Sequence, residues 1–293
     1  MRRLQLVVNP AAGGGRATTL LPSVQAALRT AGHDLVVTPT TCLDHADELT
    51  GTAVADDRVA VAMGGDGLVA RVAGTIGVVG GVMGVVPAGR GNDFCRATGL
   101  PQNAVRACGV LSGAAPRAVD LGVVTSSLGE RPFLGIASIG FDSDVQERVH
   151  GSTLPLGRVV YLASALATIA TWRHAVFTCT IDGEALQVRG WSVAVANSGV
   201  YGGGMRLAPD ASPYDGQLHV VTNAATGKLR LLRALPKVFT GSHVHEPSIS
   251  VRRARIVELD ADRPFRVFAD GEPVGNLPAS VRVRPGAVQV LLP

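Results

Sequence analysis

Met63-Gly64-Gly65-Asp66-Gly67-Leu68 is the point from which this 293-residue chain is best read. The short apolar run 59–63 precedes it and the helical pattern 68–76 follows it, so the string is a glycine-lined turn at the carboxyl end of a strand. Glycines on both sides of one aspartate let a ligand approach the backbone closely. They also hold a carboxylate where a helix begins, which the positive end of the helix dipole favours. A carboxylate so placed can reach Mg2+, or a water on it, as phosphoryl transfer requires. Alone, the same string reads first as an aspartate N-cap at an ordinary turn.

Two more loops repeat the design. Asn9-Pro10-Ala11-Ala12-Gly13-Gly14-Gly15-Arg16 follows the run 4–8, and Pro87-Ala88-Gly89-Arg90-Gly91-Asn92-Asp93-Phe94 follows the run 82–86. In the first, glycine N–H groups can meet phosphate oxygens at a helix start, and Arg16 adds a charge-assisted contact. In the second, Asn92 and Asp93 are placed for ribose, phosphate or metal-bound water. Neither the dinucleotide fingerprint nor a GxxxxGK[ST] string occurs. Each loop alone is a weak signal, but three at successive strand ends outweigh a punctuation reading.

The runs 4–8, 35–37, 59–63 and 82–86 are short and rich in β-branched residues, as buried parallel strands are. Stretches 19–31, 43–53 and 68–76 between them have helical length and spacing. This alternation predicts a doubly wound α/β sheet with ligands at the strands' carboxyl ends. Beyond about Leu121 the pattern changes to a helix over 156–172 and then strands at 176–181, 193–196, 218–222, 249–251, 265–268 and 281–283. Asp182-Gly183 and Asp270-Gly271 mark hairpins there. The expected organisation is an α/β nucleotide-binding domain over 1–124, rejoined by residues 286–293, and a mostly antiparallel β-rich domain over 125–285. The site is expected between them.

Composition narrows the class. Hydrophobic residues make up 46% and charged residues 17%, which excludes a disordered chain. The net charge of +4 suits nucleotides or a membrane surface. Nucleic acid is not expected as a partner, because basic residues are scattered and aromatics are only 4%. Cys42, Cys95, Cys108 and Cys179 lack metal or disulfide spacing and read as reduced core thiols of a cytoplasmic protein. The N-terminus shows no signal-peptide core, and the uncharged stretch between Arg158 and Arg173 is too short to span a bilayer. A cytoplasmic protein, at most peripheral at the inner membrane face, is expected.

Nearly the whole chain resembles the diacylglycerol kinase-like lipid kinase family, which includes soluble bacterial diacylglycerol kinases and the catalytic domains of sphingosine and ceramide kinases. The resemblance rests on the three loops above and on Asp120-Leu121-Gly122 and Ser138-Ile139-Gly140-Phe141-Asp142. It continues in Asn197 to Met205, Pro209 to Leu218 and Asp270-Gly271-Glu272. It implies ATP and Mg2+ as cofactors and a lipid alcohol at the membrane surface as acceptor. By position, Asn9, Gly13, Gly14, Arg16, Thr40, Gly64, Gly65, Asp66, Gly67, Leu68, Arg71, Gly89, Arg90, Gly91 and Asn92 would line the nucleotide. Asp66 would anchor the magnesium–nucleotide complex, with Asp93 and Asp120 completing a carboxylate–water network. Glu272 matches the general base, with Asp270 as its rival. Asp215, with Ser212 and Gln217, matches a structural magnesium site. The family's usual threonine, Asn-Glu pair and second threonine are here Leu68, Ala70-Arg71 and Arg90.

Other features have plainer readings. His243 and His245, alternating on a presumed strand without a third ligand, read as surface residues. Asp142, Asp144 and Glu147 read as helix-capping acids. The helix over 156–172 reads as core, with a part in a lipid pocket left open. NAD kinase, which shares the Gly-Gly-Asp-Gly string, and a non-catalytic nucleotide sensor are the competing functions. A homodimer is compatible with the sequence.

Overall fold

The computed structural model describes residues 1–150 and 157–293. The first half is β1 (Arg3–Val8), α1 (Ala12–Thr30), β2 (Asp34–Pro39), α2 (Leu43–Ala55), β3 (Val59–Gly64), α3 (Asp66–Val79), β4 (Val82–Pro87), α4 (Asp93–Thr98) and α5 (Ala104–Gly113). There follow β5 (Pro116–Ser126), β6 (Gly129–Phe133), β7 (Ile136–Gly140), α6 (Phe141–His150), α7 (Gly157–Thr171), β8 (Ala175–Ile181), β9 (Glu184–Ala196) and β10 (Leu218–Ala224). The chain ends with α8 (Lys228–Ala234), 3-10 turns Leu235–Val238 and Ser242–His245, β11 (Ile249–Ala254), β12 (Ile256–Ala261), β13 (Arg266–Ala269), β14 (Glu272–Asn276) and β15 (Ala279–Leu291).

Strands β2, β1, β3 and β4 run parallel, in that spatial order, and β1, β3 and β4 are buried almost end to end because helices cover both faces. The β-rich half pairs β8, β9, β7, β13 and β14 antiparallel, with β10 and β11 branching from β9. In β8, buried side chains recur at every second position, the pattern of a strand with one face on a core.

Strand β15 joins the two halves. Its first part pairs antiparallel with β12 (Val257 opposite Val281), it runs antiparallel to β5 along most of its length, and at Gln289 and Val290 it pairs parallel with Val82 and Met83 of β4. One hydrogen-bonded sheet thus passes from one half to the other, and their relative placement is carried by backbone as well as by side-chain packing. Separate cores lie on each side: Trp191, Phe177 and Phe133 in one, Val72, Ile76 and Met83 in the other.

Three expectations need correction. His243 lies on a 3-10 turn, not a strand, and is buried, with Nε2 3.1 Å from the carbonyl of Leu207. Cys42 is exposed at the N-cap of α2, where its Sγ accepts from His45 N at 3.4 Å; the other three cysteines are buried. Strands β5 to β7 and helices α4 and α5 were not expected, because Asp120 and Gly122 break the apolar run of β5 and α4 is a short turn. Leu156, the first residue of the expected long helix, falls outside the described residues.

Candidate active site

The three glycine loops leave three neighbouring strands and meet. Asn9 N donates to Met63 O (3.0 Å), and Ala88 N and Gly89 N both donate to Gly64 O (2.9 and 3.0 Å). Gly13, Gly14 and Gly15 all have left-handed backbone (φ 64°, 73° and 91°), a run that side chains on L-residues would strain. This loop is therefore no part of a regular helix, although α1 continues from it. Gly89 and Gly65 approach so closely that a methyl on Gly89 would lie 2.5 Å from Gly65 Cα. Asn92, itself left-handed, closes the third loop by accepting from Gly89 N (3.0 Å) and donating to Gly89 O (3.2 Å).

Asp66 opens α3 within this convergence. Its Oδ1 accepts from Phe94 N (3.1 Å), and burial together with the neighbouring Asp93 pushes its pKa up to about 6. Burial also raises Asp93. Both oxygens of Asp93 accept from Gly203 N (3.0 and 2.9 Å), so the 201–205 hairpin of the β-rich half sits against the third loop. Gly203 is absent from the expected contacts, although the Tyr201 to Met205 string is quoted for the resemblance; the glycine-rich hairpin was the signal.

Glu272 opens β14 and is exposed, and its side chain overlies the backbone of Gly67: a methyl there would lie 3.1 Å from Glu272 Cγ and 3.4 Å from Oε1. Asp270, two residues earlier, does something different. Its carboxylate accepts from Leu134 N (2.8 Å), Gly135 N (2.9 Å) and Ile136 N (3.1 Å), and burial pushes its pKa up to about 7. It pins the hairpin that presents Glu272.

Other expected residues divide. Thr40 is buried at the end of β2, its N–H donating to Val8 O (2.7 Å) beside Asn9. Leu68 is buried and packs over Gly64, so the place of the family's threonine is a core contact. Arg90 Nη2 reaches Gly14, 3.4 Å from where a methyl there would lie, and Arg16 is exposed beside it. Arg71 is paired with Asp44 (2.8 Å) and Asp47, which clamps α3 to α2. Asp120 takes backbone donors of its own. Its two oxygens accept from Gly286 N and Gly216 N, both at 2.7 Å, which ties it to the 212–217 turn. In that turn Asp215 Oδ1 accepts from Gln217 N (2.9 Å), and Oδ2 lies 3.3 Å from His219 Nε2.

Two adjacent carboxylates, Asp66 and Asp93, form a hard oxygen donor set of the kind Mg2+ uses when phosphates and waters complete its shell. Among the described residues no cluster of three or more His, Cys, Asp or Glu side chains is gathered as a metal cage. The donors therefore fit a cation that arrives with a polyphosphate. In the β-rich half, Asp142 lines a cavity with Ser192, Leu207, Leu231 and His243, and burial pushes its pKa up to about 6 against a hydrogen bond from Ser192.

Comparison with known proteins matches both halves of the chain. Residues 3–124 match the diacylglycerol kinase catalytic domain, and residues 135–292 match the YegS C-terminal NAD kinase beta sandwich-like domain. A diacylglycerol kinase of Mycobacterium tuberculosis is 32% identical over 99% of this chain and 95% of its own length. One from Bacillus subtilis is 25% identical over 95% of this chain and 92% of its own. The crystal structure of a diacylglycerol kinase from Bacillus anthracis superposes with a TM-score of 0.80 at 23% identity, covering 100% of this chain and 97% of that one, and so shares the fold. With both halves matched in order and a full-length relative above 30% identity, this chain belongs to the diacylglycerol kinase-like family of lipid kinases.

Proposed function

We propose that the protein transfers the γ-phosphoryl group of ATP, bound with Mg2+, to the hydroxyl of diacylglycerol or a related lipid alcohol. The observation that carries the reading is Glu272 lying over Gly67, next to Asp66: a carboxylate from the β-rich half faces the loop assigned to the phosphates. Backbone N–H groups of the loops at 13–16, 65–68 and 89–92 hold the nucleotide, Arg90 and Arg16 supply positive charge, and Thr40 and Asn9 support the first loop from beneath. Asp66, with Asp93, would hold the cation, which when bound neutralises charge developing on the transferred group. Glu272 accepts the proton of the attacking hydroxyl, and Asp270 keeps the hairpin in place. The 212–217 turn, with Asp215 and the carbonyls of Ser212 and Gln217, would hold a second, structural cation. The acyl chains belong in the β-rich half, whose cavity is walled mainly by apolar side chains.

The test is phosphoryl transfer from γ-labelled ATP, with Mg2+, to diacylglycerol, a sphingoid base, a polyprenol and NAD in parallel. Labelled lipid is expected. Label in NADP alone would replace this reading with NAD kinase, and label in no acceptor would leave nucleotide binding without transfer.

A further inference from the structure

The outer face of the segment 228–239 has no part in the site above, yet its composition is unusual for this chain. Lys228, Arg230, Arg233 and Lys237 are all exposed, and Glu246 is the acid that answers two of them, at 2.5 Å from Lys237 Nζ and 3.8 Å from Arg230 Nε. Leu229 and Phe239, at its two ends, are each 61% exposed. On the inner side, Leu231 is buried, and Leu231, Leu235 and Val238 form one wall of the cavity. Lys228 Nζ donates to Ala170 O (2.6 Å), which sets α8 against the end of α7. A water-facing surface gains nothing from presenting large apolar side chains among cations. A bilayer does, because apolar tips enter the acyl boundary while cations meet lipid phosphates.

We propose that α8 and the 3-10 turn after it are the surface on which this protein docks to an anionic bilayer. Leu229 and Phe239 enter the interface, and Arg233 faces the headgroups. The proposal rests on the lipid-kinase reading: the acceptor resides in a membrane, and this segment separates the cavity from the proposed bilayer. Charge complementarity selects the partner. Here the cations exceed the acids, and neither Lys228 nor Arg233 has a carboxylate within ion-pair distance among the described residues.

The experiment is vesicle flotation of the full chain with phosphatidylcholine alone or mixed equally with phosphatidylglycerol, at low and high salt. Wild-type protein is expected to float with the mixed vesicles, less with phosphatidylcholine, and less as salt rises. Leu229→Ser/Phe239→Ser and Arg233→Glu should each weaken flotation roughly tenfold. Both variants should phosphorylate short-chain diacylglycerol in detergent micelles at the wild-type rate, which shows that they fold. Equal flotation of wild type and variants, equal flotation with both vesicle types, or no flotation at all overturns the docking surface. Loss of micellar phosphorylation by wild type, with flotation intact, overturns the kinase reading instead and leaves the surface standing.

Discussion

The carboxylate of Asp93 receives the N–H of Gly203 on both oxygens, at 3.0 and 2.9 Å, and so joins the loop after β4 to a hairpin of the β-rich half. Asp93 also faces Asp66, whose pKa it raises. The same side chain therefore helps to assemble the site and burdens it with charge. Asp93→Ala should expose the Gly203 amide to hydrogen exchange and lower turnover sharply. It should cost only about 1 kcal/mol of stability, because the lost hydrogen bonds are offset by relief of a partly buried charge. Asp93→Asn keeps an acceptor and should retain most of the protection at Gly203. Unchanged exchange at Gly203 in the alanine variant would show that the latch is not formed in solution.

Gly67 is the residue that Glu272 covers, and a methyl there would press on Glu272 Cγ at 3.1 Å. Alanine is better than glycine in a helix by up to about 1 kcal/mol, so Gly67→Ala should leave the melting temperature near or above wild type. The rate should nonetheless fall by about tenfold or more, because the base is displaced from the phosphate loop. Parallel thermal scans and initial rates separate the two effects. A variant with normal kcat would remove Glu272 from the reacting centre.

Asp66 and Asp270 have pKa values pushed up to about 6 and about 7, chiefly by burial. A carboxyl whose folded pKa lies above its unfolded value binds more protons in the native state across that interval, so stability falls as pH rises through it. The nucleotide-free protein is therefore expected to melt higher near pH 5 than near pH 8, roughly the span between the ordinary carboxylate range and these raised values. Asp66→Asn keeps the acceptor for Phe94 N without the charge. It should be stabilised above pH 6, show a flatter pH profile, and be almost inactive. A melting temperature that climbs steadily from pH 5 to pH 8 in the wild type would contradict the burial of these groups.

Asp270 and Glu272 are two residues apart and are expected to fail in different ways. Asp270→Ala leaves three backbone donors, those of Leu134, Gly135 and Ile136, without their acceptor and should cost about 3 kcal/mol or more in urea unfolding. Glu272→Ala, at an exposed position, should unfold like wild type while losing at least about a hundredfold in kcat, the usual reach of a general base. If Glu272→Ala stays active, and Asp270→Asn is inactive but stable, the proton acceptor is Asp270.

Much of this was legible without coordinates. Short β-branched runs, glycines at their ends and Asp-Gly pairs announce parallel strands, close-approach loops and hairpins, because each depends on residues near one another in the chain. The parallel strands at 4–8, 35–37, 59–63 and 82–86 lie within β1 to β4 as observed. The meeting of the three loops also follows from strand order, since β1, β3 and β4 are neighbours.

Side-chain partners were less accessible. The pairing of Arg71 with Asp44 and Asp47 of α2, and the holding of the Asp120 oxygens by Gly216 and Gly286, are visible only in the folded chain. Those partners lie between 24 and 166 residues away, so no local pattern marks them. His243 became a buried turn residue for the same reason, as its acceptor Leu207 is 36 residues distant.

By itself, the sequence determined the loops, their glycines and the acid at the head of α3, because steric freedom and helix starts are local properties of the backbone. Only the tertiary structure decided which carboxylate accepts three backbone donors, which lies over Gly67, and which cation is already paired. Those outcomes depend on desolvation and on partners supplied by elements distant in the chain, α2 for Arg71 and the strands that β15 joins into one sheet for the carboxylates.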